Sequence, residues 1–190
     1  MLDIKAKIKD LNWNQRPEKN REAIEILQNI PLEKMYLLIM PNGKECWENA
    51  ALVLKKIGWP RIEVVLPELF NWLRDINWPG ASIICELLKT IPIKILSNEV
   101  EGSIIRAARE NDDIWISGIK YFMDLAQMNR EIIVDENIWS IIDETENYLD
   151  KIETLEIEAN RKRDVSEEIG ILTKDHREKI VGYIEKLRIH

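Results

Sequence analysis

The sequence predicts an all-α protein: a short right-handed solenoid of about four helical hairpins, closed by a C-terminal helical cap. Three observations carry this. Gly and Pro are scarce, seven each in 190 residues, while Leu, Ile, Glu and Lys dominate, which favours helix over sheet. Apolar residues recur at helical spacing, as in Leu66, Leu69, Phe70 and Leu73. Polar turns built on Asn or Asp, each followed within five residues by a Trp, recur at about the length of one helix pair.

The first hairpin pairs residues 2–11 with 17–30 around Asn12-Trp13-Asn14, and the second pairs 32–39 with 47–57 around Pro41-Asn42-Gly43. In the third, Pro67 is harmless only in a first turn, so the helix starts near Leu66 rather than at Pro60. It turns at 75–79 and returns through Ile83, Ile84, Leu87, Leu88 and Ile91. Ile57-Gly58-Trp59-Pro60 and Ile76-Asn77-Trp78-Pro79 lie nineteen residues apart and punctuate it on both sides. The fourth hairpin joins 97–110 to 114–127 through Asn111-Asp112-Asp113. The anchors Asn12, Asn42, Asp75 and Asp112 are 30, 33 and 37 residues apart, with Trp13, Trp47, Trp78 and Trp115 after them.

After Arg130 the pattern changes, so residues 1–130 are expected to form the stack and 131–190 an acidic extension packed on it. Residues 134–155 read as one long amphipathic helix with Ile138, Ile141, Ile142, Leu149, Ile152 and Leu155 along a stripe. Residues 158–166 read as a polar linker, and 173–188 as a last helix with Thr173 as its cap.

Charge narrows the function. The net charge is −7, with eighteen acids and eighteen bases in residues 1–130 but sixteen acids and nine bases in 131–190. The chain offers no broad basic footprint for duplex nucleic acid. No run of about eighteen apolar residues is long enough for a membrane span, and the charged N-terminus does not resemble a signal peptide. Cys46 and Cys85 fit no metal or disulfide framework and read as small core hydrophobes. These features imply a cytoplasmic protein without a cofactor.

The stretch 66–75, followed by Ala81 and Leu87-Leu88, resembles a HEAT-type repeat: Pro67 and Asp75 stand at that family's helix-start and inter-helix positions, whereas Ala81 stands where it carries a basic residue. More narrowly, the run from Trp72 through Asn77-Trp78-Pro79-Gly80 to Ala81, together with Asp112-Asp113-Ile114-Trp115, looks like the signature of a bacterial domain family of unknown function over about residues 45–128. The resemblance implies a helical fold and no activity.

Catalytic chemistry finds little support in the residues. The only histidines are His176 and His190, away from any Ser or Cys nucleophile pattern, and the glycines are scattered singly. Carboxylate chemistry at Asp75, Asp112 and Asp113, beside Trp78 and Trp115, defines one alternative: an enzyme acting on damaged or modified nucleic acid. That enzyme would need Lys44, Lys55, Lys56, Arg61 and Arg74 to line its cleft. The bland reading of each Asp is a cap or turn residue worth ~1 kcal/mol. A duplicated stack that only oligomerises is a third alternative.

The favoured expectation is a non-enzymatic protein-binding module, in its most concrete form an immunity-type protein that neutralises a basic toxin. Its candidate contacts are Asp75, Asn77, Trp78, Asp112, Asp113 and Trp115 at the turns, with Asp135, Asp143, Glu144, Glu146 and Asp150 on the acidic helix. Between positions 135 and 158 nine acids face one base, Lys151, a repulsion that a basic partner would relieve.

Overall fold

A computed structural model describes residues 3–160 and 164–187; helix makes up 75% of the structure, and no strand occurs among the described residues. Two compact units are formed, Met1–Glu99 and Val100–His190. The change of composition at residue 130 lies inside the second.

In the first unit, α1 (Ile4–Lys9) begins behind Asp3, whose side chain accepts a hydrogen bond from the Ala6 N–H. Pro17 opens α2 (Pro17–Leu27), where its missing N–H costs nothing. The centre of the unit is α3 (Trp47–Ile57): its small residues Ala50 and Ala51 are fully buried beside Val53 and Leu54, and it packs against both α2 and α5 (Ala81–Leu88).

Two of the expected first arms are not continuous α-helices. Residues Leu32–Leu38 form a 3-10 helix, and α4 (Leu66–Leu69) is a single turn that continues as a 3-10 segment over Phe70–Arg74. A further 3-10 segment, Arg61–Val65, precedes α4 and buries Ile62. Side chains at i and i+3 share a face in both helix types, so Met35 with Leu38, or Phe70 with Leu73, bury equally well at either period. Apolar spacing alone does not separate the two. Pro67 does sit in the first turn of α4.

α6 (Ile93–Glu110) and α7 (Asp113–Leu125) are the two helices on either side of the turn at Asn111 and Asp112, with α6 starting four residues earlier than Ser97. In the second unit α7 packs on α8 (Glu136–Ala159), and α8 on α9 (Ser166–Leu187). The core there holds Trp115, Ile119, Phe122, Ile138, Ile141, Ile142 and Ile180. No described helix is long and apolar enough to cross a membrane.

The last helix requires a correction. Thr173 is not its cap: α9 starts at Ser166, whose N–H donates to Asp164 Oδ1 at 3.0 Å. Thr173 lies inside the helix and donates its hydroxyl to the Ile169 carbonyl at 2.8 Å. The lone Gly170 stands in open space and costs only about 1 kcal/mol without interrupting the helix. The linker expected at 158–166 shrinks accordingly, and its positions 161–163, like His190, lie outside the described residues.

Candidate functional site

Three of the four turn anchors act first on their own backbones. Asn12 Oδ1 accepts from the Asn14 N–H at 2.8 Å, Asp75 Oδ1 from Asn77 at 2.9 Å, and Asp112 Oδ1 from Trp115 at 3.0 Å. Beyond this shared chemistry the two turn clusters differ, and each belongs to its own unit.

In the first unit, the segment from Trp72 to Ala81 wraps around α3. Trp72 is fully buried and its indole N–H donates to the Pro79 carbonyl at 3.0 Å. Gly80 has φ +88°, and a Cβ there would stand 2.8 Å from Ala51 Cβ and 3.0 Å from the Trp47 carbonyl oxygen. Only glycine allows so close a backbone approach. Trp78 is half-buried against Trp47, their rings 5.1 Å apart and tilted by 59°, and Lys44 Nζ lies 5.0 Å from the Trp78 ring. Two of the five bases named for a phosphate-binding cleft are engaged elsewhere: Lys56 pairs with Glu25, and Arg61 donates to the carbonyls of Gln28 and Ile30.

In the second unit, Asp113 and Trp115 point inward. Trp115 is buried under the Arg106 guanidinium, 5.2 Å from its ring. Asp113 is buried, with Oδ1 3.1 Å from His176 Nε2 and 2.8 Å from the Arg177 Nη1 that donates to it. Burial pushes its carboxyl pKa up, but hydrogen bonds from His176 and Arg177 outweigh burial and hold it below the ordinary aspartate range. The other face of the His176 environment comes from α8: Tyr148 stacks on the imidazole at 4.1 Å, and Glu144 Oε1 is 3.6 Å from Nδ1. Lys179 reaches the same Glu144 oxygen at 3.3 Å. With His176 wholly buried, this set joins α7, α8 and α9 as a polar clamp, and no substrate can approach the ring. Among the described residues no group of three or more His, Cys, Asp or Glu is placed to hold a metal.

The clamp sorts the acids of α8. Asp135 caps the helix by accepting from the Asn137 N–H at 2.8 Å. Asp143 pairs with Arg130 at 3.1 Å, and the same guanidinium holds Glu136. Glu144 is turned toward His176. Glu146 and Asp150 are exposed, and with the equally exposed Glu153 they follow one stripe at i, i+4, i+7, making no ion pair with described residues. Of the five acids expected on this helix, Glu146 and Asp150 remain available.

A family model described as Domain of unknown function (DUF5071) matches residues 39–168, more than half of the chain. The chain belongs to this family. The matched DUF5071 span contains α3 through α8 and ends at the start of α9, so Asp113, Glu144 and Tyr148 fall inside it and His176 and Arg177 outside. No curated protein and no solved structure matches the chain.

Reasoning from sequence missed His176, Arg177 and Tyr148. One signal was present: His176 lies on the apolar stripe of its helix with Ile169, Thr173, Ile180 and Ile184, a position where a polar ring needs a buried partner.

Proposed function

We propose that the protein is a non-enzymatic binding module in a cytoplasmic setting, and that the stripe Glu146, Asp150 and Glu153 receives a basic protein, in the manner of an immunity protein that neutralises a toxin. The observation that carries the reading is the division of labour on α8. Asp135, Glu136, Asp143 and Glu144 are used internally as a cap, in ion pairs or in the clamp, whereas these three stand exposed and adjacent, a repulsion that a cationic partner relieves. The engagement of Asp75 and Asp112 with their own turns supports a scaffolding role for the motif rather than catalysis. The paired segments of the first unit are read as shortened HEAT-like hairpins, supported by Pro67 in a first turn and Asp75 at the bend before α5.

The test is capture from lysate of the native cells with the wild type, with E146Q/D150N/E153Q, and with D135N as an acid-loss control outside the stripe. A single basic protein retained by wild type and D135N, released by moderate salt, lost by the triple variant, and toxic unless co-expressed with this chain supports the reading. Equal capture by all three forms, or none by any, overturns it.

A further inference from the structure

The first unit holds a second feature that this reading does not use. Between α1 and the 3-10 segment Leu32–Leu38 with the irregular residues 39–42 that follow it lies an open cavity of about 420 Å³, within the size range of small-molecule sites. Its walls are apolar: Ile8, Pro41 and Cys46 are buried, and Leu37, Ile39 and Met40 are partly exposed toward it. Met40 is held at φ +41°, a conformation that side chains other than glycine seldom adopt. The charged residues at the rim are Lys5 and Lys9, one turn apart on α1. Both are exposed and neither has an ion-pair partner among the described residues, whereas Lys7 between them pairs with Glu22 at 2.8 Å and Asp10 at 3.4 Å.

We propose that this cavity binds a small organic anion with an apolar body, a medium-chain carboxylate being the simplest example. Two ammonium groups at i and i+4 are spaced to share one carboxylate, and the apolar walls take the chain. The apolar residues from Ile39 onward fall within the family-matched span, while Lys5, Ile8 and Lys9 lie outside it. The family span therefore supplies part of the pocket wall, and the flanking helix supplies the charge that selects the ligand.

Decanoate, decanol and acetate are the probes, titrated into the full chain by calorimetry and followed by NMR of the Ile8, Ile39 and Met40 methyl groups. Decanoate is expected to bind one to one and shift these methyls, with the other two probes weaker by about tenfold or more. K5Q/K9Q should weaken decanoate by about tenfold and leave decanol unchanged, its thermal midpoint matching wild type because both lysines are exposed. No decanoate binding at millimolar concentration, undiminished binding to K5Q/K9Q, or shifts centred elsewhere, such as at Leu155 and Leu172, would each overturn the proposal.

Discussion

His176 and Asp113 meet inside the second unit across 63 residues of chain, ring nitrogen to carboxylate oxygen at 3.1 Å, and the same carboxylate accepts Arg177. Removing the shared acceptor leaves a buried imidazole and a guanidinium without it. Asp113→Ala is therefore expected to destabilise the protein by about 3 kcal/mol in urea unfolding, well beyond a surface substitution. A loss under 1 kcal/mol would mean that the clamp contributes little.

The same carboxyl sets a pH signature. Its folded pKa lies below the ordinary 3.8, so in the unfolded chain it takes up a proton first as pH falls. Its stabilisation is complete above that value and is lost as pH drops through the folded pKa. The stability gap between wild type and Asp113→Asn should stay flat from neutrality down to about pH 4 and close below it. A gap that closes between pH 6 and 7 would assign the effect to another group.

Thr145 on α8 is fully buried and its hydroxyl has no hydrogen-bond partner among the described residues. Valine has nearly the same shape and nothing to desolvate. Thr145→Val should therefore stabilise the fold by about 1 kcal/mol, read as a higher urea midpoint at unchanged slope. Destabilisation would reveal a partner for that oxygen.

Two glycines should answer an alanine scan with opposite signs. Gly80→Ala forces a Cβ onto Ala51 and the Trp47 carbonyl at positive φ, and is expected to cost about 2–3 kcal/mol. Gly102, exposed within α6 with nothing in the way of a Cβ, should gain up to about 1 kcal/mol from the same change. Thermal unfolding of both variants checks the pair.

Much of the helical layout was legible from local rules. Leu66, Leu69, Phe70 and Leu73 are buried as their spacing required, and the turn residues Asp75 and Asp112 bond their own backbones. Helix type was less legible, because a buried i, i+3 pair such as Met35 and Leu38 satisfies a 3-10 turn as well as an α turn. The direction of individual acids was not legible. Asp112 and Asp113 are neighbours with the same chemistry, yet one caps a helix and the other enters a buried cluster, and only the arrival of His176 from far along the chain distinguishes them. Glu144 and Glu146 were likewise indistinguishable until Lys179 and His176 claimed the first.

The clamp also fixes an order of assembly. Growing from its N-terminus, the chain can complete the first compact unit once residue 99 is free, but Asp113 then waits with its charge uncompensated until α9 is made. A nascent chain paused before residue 176 would carry a finished first half and an unsealed second, with the faces of α7 and α8 that α9 covers still open to whatever chaperone or partner reaches them first.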